Sequence, residues 1–316
     1  MLIQFTFTPP DDLQQQLINS YPDITFRFQK SITADDPYLP EAKILVTYGE
    51  DLEDVHIQNA KRLEWVMVMS AGLERMPFKA LLKKDIQVTN ARGIHKIPMA
   101  EYTLGRILEV EKKMRELREL EKKHIWDRNH QFGELYGKTM VVIGAGAIGR
   151  EVARLAKAFG MSVAGINRDG RPAEHFDRTA GMQKLMDEIP SGDYIVSVLP
   201  STEETKHFLT EQHFNAMKES AIFINIGRGD AVEEKVLLGA LRNGSIRHAV
   251  LDVFHEEPLP AEHPYWEMDT VTISPHISSI SQNYLPRCFE IFEYNLQRFL
   301  KGKKDFKNEI DLERGY

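Results

Sequence analysis

The sequence predicts an α/β protein made of two doubly wound parallel-sheet domains. Three observations predict it. Short apolar runs alternate with helical segments along the chain. One stretch, Thr139–Arg168 (TMVVIGAGAIGREVARLAKAFGMSVAGINR), reads as strand, glycine turn, helix and strand. The 316 residues also exceed what one typical core holds.

The elements follow in order. Leu2–Phe7 reads as a strand, and Asp11 or Asp12 is expected to cap a helix through Asn19. Thr25–Phe28, Ile44–Thr47, Trp65–Met69 and Ile86–Thr89 are further strands, completing a first α/β domain. Pro98 opens one long helix from Met99 to about His124, with Ile107, Val110, Met114, Leu117 and Leu120 forming an apolar stripe opposite a charged face. That stripe fits either packing on its own domain or a subunit contact.

Met140–Ile143 is then a buried strand, followed by Gly144, Gly146 and Gly149 in GxGxxG spacing. The helix Arg150–Phe159 places Val152, Leu155, Ala156 and Phe159 on one face and ends at Gly160, before the strand Ser162–Ile166. Gly144 permits the tight turn, Gly146 lets the backbone approach a pyrophosphate, and Gly149 lets helix and strand pack closely. The helix N-terminus adds free N–H groups and a positive dipole end. This is a dinucleotide-binding unit, although an adenosine-bearing methyl donor would use a similar turn. Tyr194–Leu199, Ala221–Ile226, Ala249–Phe254 and Val271–Ser274 continue the strands, with helices near Met182–Ile189, Thr210–Met217 and Val232–Asn243. A last helix, about Ser281–Leu300, is long enough to return to the first domain. The expected division is residues 1–96 with 282–316 as one domain and 97–281 as the other, with a cleft between them.

Composition narrows the function. A net charge of −7 argues against a general nucleic-acid surface. The single cysteine, Cys288, excludes an intramolecular disulfide, fits a reducing compartment and has no partners at metal-ligand spacing. No apolar run reaches membrane-spanning length, and MLIQFTFTPPDD lacks the features of a signal peptide, so a cytoplasmic protein is expected.

In open parallel sheets, ligands sit beyond the carboxyl ends of the strands. Those ends carry Pro200 and Thr205, then Gly227-Arg228-Gly229, then Asp252 and Glu257, then His276. An Arg presents a planar fork matched to a carboxylate. A His exchanges one proton near neutrality, and a carboxylate bonded to it favours its charged form and fixes its ring. With a nicotinamide, this trio is a parts list for reducing a 2-keto acid.

These residues also carry a resemblance. ELYGKTMVVIGAGAIGREVA, SVLPSTEETKHFL, FINIGRGDAVEE, LDVFHEEPLP and SPHIS resemble the D-2-hydroxyacid dehydrogenase family, as do SAGLERMP and NARGIHKIPMAEYTLGRIL. The resemblance implies a flavodoxin-like substrate-binding lid domain and a Rossmann cofactor domain, and a glyoxylate- or hydroxypyruvate-reducing activity. It implies that Arg228 binds the substrate carboxylate, His276 is the acid/base, Glu257 its partner, and Asp252 the hold on the nicotinamide. Ala71, Gly72 and Leu73 would grip the substrate acid, and a homodimer would form through the charged helix. The cofactor surface would take in Gly144, Gly146, Ala147 and Ile148, then Leu199, Pro200 and Thr205, and finally Ile226, Gly227 and Ser278.

One departure bears on the cofactor. NAD sites place an acidic residue after the second strand. Here that position is Asn167, followed by Arg168 and, beyond Asp169, by Arg171. An Arg there pairs with a 2′-phosphate, so NADP(H) is expected over NAD(H), with Asp169 acting from a shifted loop as the alternative. An NAD(P)-sensing regulatory protein and an oxidase of formate or phosphite remain as other readings of the scaffold.

Overall fold

The computed structural model describes residues 1–73 and 75–313 and divides into two compact units. The first unit comprises residues 1–94 and the chain from 281 onward; the second comprises 95–280.

In the first unit, β1 (Leu2–Phe5), α1 (Asp11–Ser20), β2 (Thr25–Phe28), β3 (Ala42–Thr47), α2 (Asp54–Asn59), β4 (Trp65–Val68), α3 (Phe78–Lys83) and β5 (Gln87–Asn90) alternate. The sheet is parallel, in the order β2-β1-β3-β4-β5, which is the flavodoxin-like winding. Central strands covered on both faces must be apolar throughout, and β4 is buried at every residue.

The second unit opens with α4 (Lys96–Glu111) and α5 (Met114–Lys122). It continues through β6 (Thr139–Ile143), α6 (Ala147–Ala158), β7 (Ser162–Asn167), β8 (Arg178–Gly181), α7 (Leu185–Glu188), β9 (Tyr194–Ser197) and α8 (Glu211–Asn215). It closes with β10 (Ile222–Asn225), α9 (Glu234–Arg242), β11 (His248–Leu251) and β12 (Val271–Ile273). Its seven parallel strands run β12-β11-β10-β9-β6-β7-β8. Counted from β6, this is the Rossmann order 3-2-1-4-5-6 with one strand added, and the winding reverses between β6 and β9. Residues of α4 and α6 cover one face of the sheet, and those of α7 to α9 cover the other.

The chain returns to the first unit as α10 (Tyr284–Leu300). There Phe289 and Phe292 pack with Phe5 and Trp65 on the face that α1 also covers, while Ile57 of α2 and Leu81 of α3 fill the other.

Three expectations need correction. The single helix from Met99 to His124 is two helices, because Lys113 takes a left-handed backbone at φ +49°. The break follows Glu111, which is held inside by the Tyr194 hydroxyl at 3.0 Å and by Arg247. The returning chain binds there too, Gly133 N–H donating to the Glu111 carbonyl at 3.0 Å. Neither Asp11 nor Asp12 caps α1: Pro10 stands at the cap, and both acids lie in the first turn, where the helix dipole still favours them. The Met182–Ile189 helix reduces to short turns around α7. The sequence reading also passed over α2, α3 and β8. No helix among the described residues is long and apolar enough to cross a membrane.

Candidate active site

The glycine turn after β6 is built as its spacing requires, for a different reason at each glycine. Gly144 sits at φ +111°, and a Cβ there would lie 2.9 Å from the Val198 carbonyl oxygen. At Gly149 a Cβ would lie 2.2 Å from the Gly144 carbonyl oxygen, so only glycine lets α6 approach β6. At Gly146 a Cβ would meet nothing within 4 Å. Gly146 is also the N-cap of α6, and no side chain caps it. The turn therefore presents open space and uncapped helix N–H groups bordered by Ala147 and Ile148, which suits a pyrophosphate.

Beyond β7, Asn167 closes its own loop. Its amide donates to the Arg171 carbonyl at 2.8 Å and accepts from Gly170 N–H at 2.6 Å. Asp169 pairs with Arg171 at 2.7 Å, and that hydrogen bond holds its carboxyl below the usual range. Arg168 is exposed and pairs with no carboxylate among the described residues. Beyond β9, the Thr205 hydroxyl donates to the Pro200 carbonyl at 2.6 Å and fixes the turn after buried Leu199.

Beyond β10, Ile226 is buried and Arg228 reaches the exterior, its Nη1 donating to the Gly227 carbonyl at 2.8 Å. The glycines beside Arg228 answer to packing. A Cβ on Gly227 would lie 2.5 Å from the Leu199 carbonyl oxygen, and one on Gly229 would lie 2.0 Å from the Phe254 backbone. Asn225, which sequence reasoning missed, shapes this turn, donating to the Arg228 carbonyl at 2.9 Å and accepting from Gly227 N–H at 3.2 Å. An Asn ending an apolar strand before a Gly is a turn signal that could have found it. His95 stands nearby. Burial lowers its proton affinity most, a hydrogen bond to the Ser279 backbone opposes that, and the Arg228 charge lowers it further.

Beyond β11 and β12, two carboxylates organise the loops. Glu257 Oε1 accepts from Phe254 N–H at 3.0 Å, and Oε2 lies 2.8 Å from His276 Nδ1. A carboxylate accepts only, so Nδ1 carries a proton. Asp252 is wholly buried. Its Oδ1 accepts from Ser274 Oγ at 2.5 Å and Ile277 N–H at 3.0 Å, its Oδ2 from Ser278 N–H at 2.9 Å, and its carbonyl from His276 N–H at 2.8 Å. These bonds hold His276 at φ +54°, a left-handed conformation. That geometry costs a non-glycine residue about 1–2 kcal/mol. A hydrogen bond to a charged group contributes about 1.5–3 kcal/mol, so the Asp252 set outweighs the strain.

Sheet order puts these features at one edge. Because β12, β11 and β10 are parallel neighbours, His276, Glu257 and Arg228 follow the carboxyl ends of consecutive strands.

In the first unit, the turn after β4 is arranged around its carbonyls. Those of Ser70, Ala71 and Gly72 accept from Ala91 N–H at 3.0 Å, the Asn90 amide at 2.9 Å and the Ser70 hydroxyl at 2.8 Å. Ala71 and Gly72 are exposed, and the N–H groups of Ala71, Gly72 and Leu73 donate to nothing among the described residues. Successive backbone amides without a protein partner can donate to an anion. No cluster of His, Cys, Asp and Glu able to hold a metal ion occurs among the described residues.

The chain is similar to known proteins. Residues 104–278 match the family described as D-isomer specific 2-hydroxyacid dehydrogenase, NAD binding domain. The chain is 32% identical over 270 residues to a glyoxylate reductase of Korarchaeum cryptofilum, covering 82% of this chain and 80% of that one. A D-isomer specific 2-hydroxyacid dehydrogenase family protein from Aeromonas salmonicida has a crystal structure similar at TM-score 0.81 and 33% identity, over 98% of this chain and 99% of that one. An NADPH-dependent glyoxylate/hydroxypyruvate reductase of Sinorhizobium meliloti, solved with NADP and sulfate, is similar at TM-score 0.73 and 25% identity, over 100% and 99%.

The two inner glycines should separate in an experiment. Gly149→Ala is expected to lower both the melting temperature and the affinity for reduced cofactor, since α6 must move. Gly146→Ala should hold the melting temperature within about 2 °C while weakening cofactor binding. Thermal melts and fluorescence titration with NADPH measure both. Unchanged binding in Gly146→Ala would show that this turn is not the phosphate cradle.

Proposed function

This chain belongs to the D-isomer-specific 2-hydroxyacid dehydrogenase family, an NAD(P)-dependent oxidoreductase family, and from that premise we propose that it reduces a small 2-keto acid to the D-2-hydroxy acid with NADPH. Glyoxylate and hydroxypyruvate are the proposed substrates, the relative from Korarchaeum being a glyoxylate reductase. The observation that carries the reading is the 2.8 Å contact of His276 Nδ1 with Glu257 at a strand end next to that of Arg228.

The bound nicotinamide supplies the hydride. His276 gives the proton from Nε2 to the keto oxygen as it becomes a hydroxyl, and Glu257 steadies the charged imidazole and fixes its ring. Arg228 pairs with the substrate carboxylate and draws electron density from the keto oxygen. In the first unit, the Ala71–Leu73 amides offer donors suited to a substrate carboxylate. Gly144, Gly146, Ala147 and Ile148 hold the pyrophosphate. Leu199, Pro200, Thr205, Ile226 and Gly227 border the cofactor, with Asp252 and Ser278 at its nicotinamide end.

The loop after β7 supports NADPH. Asp169 is engaged by Arg171 at 2.7 Å, and Asn167 is an uncharged amide held by its own loop, so neither offers a free carboxylate to a ribose hydroxyl. Arg168 is left to meet a 2′-phosphate, with Arg171 beside it.

A homodimer is the proposed assembly. No residue of α5 is buried, and the following arm exposes Ile125, Phe132, Trp126 at 92% and Tyr136 at 80%. Exposed aromatics gathered on one segment mark a docking surface.

Three measurements test these readings. His276→Ala should cut turnover about 10²–10⁴-fold with little change in cofactor affinity, and Arg228→Ala should damage both KM and kcat. An intact rate in His276→Ala would place the proton donor elsewhere. Arg168→Ala should weaken NADPH binding far more than NADH binding, and equal losses would refute the phosphate assignment. Trp126→Glu should shift sedimentation toward monomer; an unchanged profile would remove this arm from the interface.

A further inference from the structure

We infer that Tyr102, on α4, is a positioning residue for His276, acting through a directed chain of hydrogen bonds that runs Tyr102, Ser274, Asp252. The inference rests on the reading of His276 as proton donor, and it adds a residue from a helix that contributes nothing else to that group.

The direction of each bond follows from proton counting. Asp252 is wholly buried and its carboxylate can only accept, so the 2.5 Å contact with Ser274 Oγ uses the one serine proton. Ser274 is itself 1% exposed. Its oxygen has lone pairs left and no proton, so in its contact with the Tyr102 hydroxyl the tyrosine must donate. Tyr102 therefore heads the chain and Asp252 ends it. The remaining Asp252 bonds reach Ile277 N–H at 3.0 Å, Ser278 N–H at 2.9 Å and His276 N–H at 2.8 Å, the last through its carbonyl. The two amides that follow His276, held at φ +54°, are thus both tied to one carboxylate, and one of that carboxylate's donors is polarised from α4.

The surroundings favour this arrangement. Tyr102 is half-buried, and burial raises its proton affinity, so the hydroxyl stays a donor. Arg106 lies 5.2 Å from the Tyr102 ring centre, is paired with Glu109 at 2.6 Å and also bonds the Tyr102 hydroxyl; a guanidinium only donates, so the tyrosine proton is left for Ser274. Linked hydrogen bonds in a dry interior strengthen one another, so removing the first donor loosens the last acceptor.

The test uses the full chain with 15N-labelled histidine, the His276 ring signal being assigned by its loss in His276→Ala. In Tyr102→Phe, which keeps the ring, the His276 signal should move and kcat for glyoxylate or hydroxypyruvate should fall about 3- to 10-fold, with KM and NADPH affinity unchanged. Ser274→Thr, which keeps a hydroxyl, should retain kcat, and Ser274→Ala should not. Tyr102→Phe placed on Ser274→Ala should add nothing. A His276 signal and kcat both unchanged in Tyr102→Phe would overturn the inference. So would a loss that adds in full to that of Ser274→Ala, since Tyr102 would then act by packing. The signal needs no turnover: a moved signal without reduction of any 2-keto acid supports the chain while overturning the proposed reaction.

Discussion

A carboxylate removed from water must be surrounded by donors, and Asp252 meets that demand by drawing the chain after β12 back over the end of β11. The donors available there are the amides of residues 277 and 278, and offering both to one carboxylate forces the preceding residue into a left-handed turn. His276 is that residue. Its ring is thereby turned toward Glu257, which is bound in turn to the Phe254 amide at the end of β11. A single buried charge thus fixes the residue proposed to exchange the proton, the orientation of its ring and the shape of the loop that carries both.

The sheet makes this concentration of groups unavoidable. Parallel strands deliver all their carboxyl ends to one edge, so the loops after β6, β7, β9, β10, β11 and β12 share it. Close approach between these loops then dictates glycine at Gly227 and Gly229, where the Leu199 and Phe254 backbones leave no room for a side chain. Arg228 is thus presented on a turn whose shape is set by its neighbours and by Asn225.

How much of this was legible in the sequence depended on the range of the interaction. The strands were, because a doubly covered strand must be apolar along its whole length, and Tyr194–Ser197 and Ile222–Asn225 are buried at every residue. So were Gly144, Gly146 and Gly149, whose reasons are local. The short helix Asp54–Asn59 was not, since six residues give too little periodicity. The break at Lys113 was not either, because a lysine carries no signal for a left-handed backbone and the cause lies in Tyr194, Arg247 and Gly133. Within the site, Glu257 and His276 could be paired by chemistry alone. Tyr102 and Ser274 are 172 positions apart, and nothing in either residue type announces the other.

Charge placement carries the argument to the ligand. The chain has a net charge of −7, with 47 acidic residues against 40 Lys and Arg. Arg168 and Arg228 are among the arginines that pair with no carboxylate among the described residues, and these two follow the carboxyl ends of strands in the same sheet. Arg171, three positions beyond Arg168, is neutralised by Asp169 at 2.7 Å. An unpaired guanidinium on an acidic protein is a local positive potential held in reserve for an anion from outside. Two such groups, on loops separated by the glycine turn, suit the two separated anionic features of the proposed ligands: a carboxylate small enough to sit by the imidazole and a phosphate at the far end of a dinucleotide.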